Sequence, residues 1–107
     1  MTEHASLAEE ERLALLAEEC AEVIVKVGKI LRHGYDSINP DNPDEGDNRL
    51  QLMKELSDVA FCFELLNRAG DIDMDIINGM SMETRVEKRR YLHYNQRHIS
   101  ERGVFLI

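Results

Sequence analysis

Apolar residues recur at three- and four-residue steps through Leu13, Leu16, Cys20, Val23, Ile24, Val27, Ile30 and Leu31, the period of a helix with one apolar stripe. Ser6 heads this pattern with Glu9 three residues on, the spacing of a capping box, and Glu10 and Glu11 suit the positive end of a helix dipole. Gly34 follows Arg32 and His33, the residue types that a helix C-terminus favours. A first helix over residues 6–33 is predicted, long enough to allow a break before Glu18. Residues 35–48, YDSINPDNPDEGDN, carry both prolines and five acidic residues and read as a turn-rich loop. A second helical stripe, Leu52, Met53, Leu56, Val59, Ala60, Phe63 and Leu66, predicts a helix over 49–69, with Gly70 as its stop. Asp71 or Asp73 can cap a third helix running to Tyr94, with Ile76, Ile77, Met80, Thr84 and Tyr91 on a weaker apolar face. Residues 96–107 end in Val-Phe-Leu-Ile and suit an extended tail that docks on a partner subunit.

Three helices without a strand pattern predict an all-α helical bundle, and 107 residues make one domain, 1–107. The chain is 43% hydrophobic and 32% charged, enough apolar material for a core. No apolar run exceeds five residues, so neither a membrane span nor a signal segment is expected. Two cysteines inside helical patterns point to buried thiols and a cytoplasmic location. The net charge of −8 disfavours a duplex nucleic-acid partner, which would need clustered cations against phosphate. That charge is uneven, because Glu83–Arg102 holds six Lys and Arg against three Glu.

The acidic residues fall into two matching strings. EECAE contains Glu18, Glu19 and Glu22, and KELSD contains Glu55 and Asp58. At about 100° per residue, Glu19 and Glu55 each lie about 90° from the centre of their helix's apolar stripe, and Glu22 and Asp58 about 150°. If the stripes pack against each other in an antiparallel pair, both acidic pairs share one flank. Leu15, Val25, Phe61, Cys62 and Leu65 border that flank, so a further helix layer, from another subunit, is expected to cover it. Covered carboxylates are costly unless paired or bound to a cation. Four hard oxygen donors match Mg²⁺ or Mn²⁺, whereas neither Cys nor His stands at ligand spacing for Zn²⁺.

These residues resemble the all-α nucleoside triphosphate pyrophosphohydrolases of the MazG-like type. The likeness rests on EE-x-x-E at Glu18, Glu19 and Glu22, on E-x-x-D at Glu55 and Asp58, on KILRHG at Lys29–Gly34, similar to the end of the first helix in phage-type members, and on the basic EKRRYLHY at Glu87–Tyr94. It spans residues 13–94. The resemblance implies a four-helix bundle completed by a homodimer or homotetramer. It also implies Mg²⁺-dependent hydrolysis of a nucleoside triphosphate to the monophosphate and pyrophosphate, with Glu19, Glu22, Glu55 and Asp58 as metal ligands and Glu18 orienting or deprotonating the attacking water. A phosphoribosyl-ATP pyrophosphohydrolase, or a non-catalytic helical module that binds a nucleotide or a partner, stands as the alternative. The long loop between the acidic strings departs from the compact family pattern.

A metal cage neutralises its metal and leaves the triphosphate's own charge to other groups. Arg85, Lys88 and Arg89 share a face of the third helix. Lys29, two turns after Glu22, and Arg32 are the corresponding candidates on the first. Candidates for stacking on a base are Phe61, Phe63, Tyr35, Tyr91, Tyr94 and His33.

Overall fold

The computed structural model describes residues 4–94 and 96. Among them are three helices, α1 (Leu7–His33), α2 (Asn48–Ala69) and α3 (Met74–Arg89), with a single 3-10 turn at Pro43–Glu45. The all-α class is as expected from the sequence. The proposed docking tail lies outside the described residues, apart from Gln96. The chain forms two compact units, one ending at Asp71 and the other beginning at Ile72.

Local signals set the helix ends. The Ser6 hydroxyl accepts a hydrogen bond from the Glu9 N–H (3.2 Å), and the Glu9 carboxylate accepts one from the Ser6 N–H (2.9 Å). This reciprocal box holds the Glu9 carboxyl below its ordinary range, chiefly through the Ser6 backbone bond. α1 then runs unbroken to His33, with no interruption before Glu18. It stops at Gly34, whose φ of 88° and ψ of 166° suit only glycine. α2 is capped by the Asp47 carboxylate, which accepts from the Leu50 N–H (2.8 Å), and ends at Gly70 in the left-handed region.

α1 and α2 are antiparallel. Arg12 meets Asp71, Lys29 meets Gln51, and Asn48 meets Gly34, so the paired residue numbers run in opposite directions along the two helices. The loop between them is tied at its neck. Asn48 donates from its backbone to Ser37 and from its side chain to Gly34, Arg49 donates to Tyr35, and Ile38 bridges Asp47. The far end is clamped by Arg12, whose Nε and Nη2 donate to the two oxygens of Asp71 at 2.6 and 3.0 Å.

The rotation of the two helices differs from the sequence expectation. On α1 the half-buried positions include Arg12, Leu15, Leu16, Glu19, Val23, Lys26, Lys29 and Ile30, whereas Leu13, Cys20, Ile24, Val27 and Leu31 from the apolar stripe are exposed. On α2 the buried residues are Asn48, Gln51, Cys62 and Leu66, with Glu55 and Asp58 half-buried, while Met53 and Leu56 are exposed. Both helices are thus turned by roughly 90° from stripe-to-stripe packing. The acidic face forms the seam between them, and most of the α1 stripe, with Met53 and Leu56 of α2, faces outward.

In the second unit, Asp73 caps α3 by accepting from the Asp75 and Ile76 N–H groups (2.9 and 3.4 Å). Asp71, the other candidate cap, is committed to Arg12. α3 ends at Arg89, five residues before the expected Tyr94. Arg90, Tyr91 and Leu92 donate to carbonyls three residues back, a tightening of the chain, and Tyr94 has a φ of 58° that no helix continues.

The Arg12 guanidinium holds the Asp71 carboxyl below its ordinary 3.8, and Asp71 in turn raises Arg12. A carboxylate depressed in the folded state contributes stability that is present above its unfolded value and lost as pH falls through the folded one. Asp71→Asn is expected to lower the melting temperature at neutral pH, with the deficit shrinking as pH drops below 3.8. Thermal melts of both proteins across that range check this, and a pH-independent deficit would refute it.

Candidate metal centre

Glu19 comes from α1, and Glu55 and Asp58 from α2. Glu19 and Glu55 sit near the centre of the faces their helices turn toward each other, and Asp58 follows Glu55 by three residues, on the same side of α2. One carboxylate oxygen from each of the three lies within 4.8 Å of the others, and all three residues are half-buried. With metal–oxygen distances of about 2.1 Å, oxygens around Mg²⁺ are separated by roughly 3 to 4 Å. A modest inward movement of flexible side chains therefore closes this set on a small divalent cation. The donors are all hard oxygens, which suits Mg²⁺ or Mn²⁺.

The electrostatics agree with an unmet demand for positive charge. Glu19 is pushed above its ordinary value, first by burial and then by the Asp58, Glu55 and Glu18 charges, with Lys54 opposing. Lys54 lies one turn before Asp58, its Nζ 3.4 Å from the Asp58 carboxylate, and the carboxylates around it raise its pKa. Beneath the cluster Cys62 is 1% exposed, and burial followed by the Glu19 charge pushes its thiol up. A thiol held in its neutral form there is packing material and no nucleophile. Cys20 is exposed.

The other residues singled out in the sequence are distributed differently. Glu18 and Glu22 are exposed on α1, and Glu22 is outside the converging set. Lys29 is half-buried and donates to the Gln51 side-chain oxygen at 3.2 Å, an internal bond between α1 and α2. Arg32 is exposed in the last turn of α1. Arg85, Lys88 and Arg89 are on α3, in the second unit, where the Lys88 ammonium lies 5.7 Å from the centre of the Tyr91 ring.

Two cations adjoin the cluster that the sequence reading passed over. Lys54 and Lys26 line a cavity of about 580 Å³ together with Leu50, Gln51, Glu55 and the Asp44–Glu45 turn. Lys54 was visible as the first residue of KELSD, four before Asp58. Lys26 was visible only once the helix rotation is known, because it falls on the same face as Glu19.

Glu19 offers a test of the seam. Its folded-state value is raised, so its ionised form costs stability at neutral pH, and the cost is relieved as pH falls through that value. Glu19→Gln is expected to raise the melting temperature in a chelator and to show a smaller gain on adding Mg²⁺ than the wild type. Paired melts with and without Mg²⁺ read this directly, and a variant melting below the wild type in chelator contradicts it.

Comparison with protein-family models, curated proteins and solved structures finds no match for this chain.

Proposed function

We propose that this protein is a Mg²⁺-dependent nucleoside triphosphate pyrophosphohydrolase that works as a homo-oligomer. The observation that carries this reading is the convergence of Glu19, Glu55 and Asp58 from two antiparallel helices into one half-buried cluster. The resemblance of the EE-x-x-E and E-x-x-D strings to the MazG-like enzymes supplies the reaction. Lone acidic surfaces are ordinarily solvated, whereas here like charges are held together at a helix seam, an arrangement that favours a bound cation.

Bound at Glu19, Glu55 and Asp58, a divalent cation would neutralise phosphate charge and acidify a water molecule. Glu22, the fourth acid of the strings, would join the set by swinging its exposed side chain inward. Glu18 would receive the proton of the attacking water. Water attacks the α-phosphorus, the bond from that phosphorus to the bridging oxygen breaks, and pyrophosphate leaves with the electron pair. Side-chain cations then hold the leaving group's growing charge, so that the rate gain comes from positioning and electrostatics.

The outward-turned stripe supports the proposed assembly. Ile24 is 72% and Leu31 82% exposed on α1, on one face with Leu13 and Val27, and Met53 and Leu56 are exposed on α2. A contiguous apolar face of this kind marks a protein contact. No helix among the described residues is long and apolar enough to cross a membrane, and a second copy of the same amphipathic pair completes a four-helix bundle.

Pyrophosphate release from a panel of canonical and modified triphosphates, with Mg²⁺ or Mn²⁺, is the direct test. Turnover of at least one is expected, and none with any would refute the activity. Glu55→Gln is expected to lose more than the roughly 10- to 100-fold typical of residues that only support metal ligands, with its helical circular dichroism retained. For the assembly, sedimentation of the wild type is expected to give a dimer or larger species, and Ile24→Glu with Leu31→Glu to shift it toward monomer. A monomeric wild type would overturn that part.

A further inference from the structure

The three carboxylates are divided between two cavities, and only one of the two is lined by cationic side chains. Glu55 lines the 580 Å³ cavity that holds Lys26 and Lys54. Glu19 and Asp58 line a cavity of about 280 Å³ whose other walls are Leu15, Phe61 and Cys62. The first offers two ammonium groups beside the carboxylates of Glu55, Asp44 and Glu45. The second offers apolar surface and an aromatic ring, with Phe61 54% exposed. In the proposed reaction the bond that breaks joins the nucleoside monophosphate to pyrophosphate, so the substrate must extend to both sides of the carboxylate cluster, with its polyanionic end and its aromatic end in opposite directions.

We infer that the substrate lies across the cluster in one direction, its β- and γ-phosphates in the Lys26 and Lys54 cavity and its nucleoside against Phe61 and Leu15. The inference rests on the proposed activity and adds the residues that orient the substrate. The reverse direction places a triphosphate chain between Glu19, Asp58 and apolar walls, with no cation lining the space. It also places the base among charged groups that hydrate strongly.

Asp44 and Glu45 close the outer wall of the larger cavity. They favour a polyphosphate that arrives with its own divalent cation over a free polyanion, which is the form a triphosphate takes at millimolar Mg²⁺. Lys54 now lies against Asp58. A cation taking up that carboxylate would repel the ammonium, which is left with phosphate as its partner in the cavity. Phe61 stands out from the other aromatic candidates because it is exposed beside the cluster, whereas Phe63 is half-buried.

Two probes that each carry one end of the substrate test this, both titrated calorimetrically with Mg²⁺ in excess: tripolyphosphate, which has no base, and a set of deoxynucleoside monophosphates, which have no β- or γ-phosphate. Lys26→Met is expected to weaken tripolyphosphate on the order of tenfold, the loss of a charge-assisted hydrogen bond, and to leave the best monophosphate unchanged, with Lys26→Arg retaining tripolyphosphate affinity. Phe61→Leu keeps the apolar bulk and removes the ring. It is expected to weaken the monophosphate on the order of tenfold, as for a lost stacking contact, and to leave tripolyphosphate unchanged. Parallel losses for both probes, a reversed pattern, or no loss in either variant would overturn the orientation. A wild type that hydrolyses triphosphates while its variants show one of those patterns loses only this inference, whereas a wild type that neither binds Mg²⁺ nor hydrolyses any triphosphate loses the proposed function itself.

Discussion

Like charges facing each other across a helix seam are the constraint on which the first unit depends. An antiparallel helix pair gains most by burying apolar side chains between its members. Here Glu19, Glu55 and Asp58 take part of that space, and among the described residues only Cys62 and Leu66 of the apolar ones are fully buried. What offsets the repulsion is local: Lys54 beside Asp58, the Lys29–Gln51 bond along the seam, and the Arg12–Asp71 fork at the open end. The pair is held by its ends and edges more than by its middle. That arrangement keeps a charged, partly desolvated space between two helices.

The cost of the same rotation appears on the outside. Apolar groups displaced from the seam face away from it, so one chain carries both like charges within its seam and exposed apolar groups outside it. The two features have one origin, and the proposed cation and the proposed second copy would each relieve one of them. On the proposed function, a chain arranged in this way trades stability in isolation for a site that is completed on binding.

The helices and their caps were legible in the sequence because each is fixed by residues within one turn: Ser6 with Glu9, Asp47 with Leu50, Gly34 and Gly70 at the stops. The acidic strings were legible for the same reason. The rotation was not. A sequence stripe sums every apolar surface a helix will bury, whether against its neighbour in the chain or against another molecule, and the period cannot separate the two. Glu19 was therefore read as lying at the edge of the packing face when it stands at the centre, and Lys26 was overlooked with it. Arg12 and Asp71 are 59 residues apart and meet only because α1 and α2 are antiparallel with a particular offset, which no local pattern encodes. The early end of α3 depends on backbone turns after Arg89 that its apolar spacing does not contain.

The neck of the loop between α1 and α2 separates two design problems. Bonds joining Gly34, Tyr35 and Ser37 to Asn48 and Arg49 close the chain before it reaches residues 39–46. The excursion beyond the neck can change in length or composition at small entropic expense without altering which residue of α1 stands opposite which residue of α2. Asp44 and Glu45 belong to that excursion and form a wall of the larger cavity. The register that gathers the carboxylates is thus insulated from the segment that shapes the space beside them, and selection can revise what the cavity admits while the carboxylate spacing stays fixed.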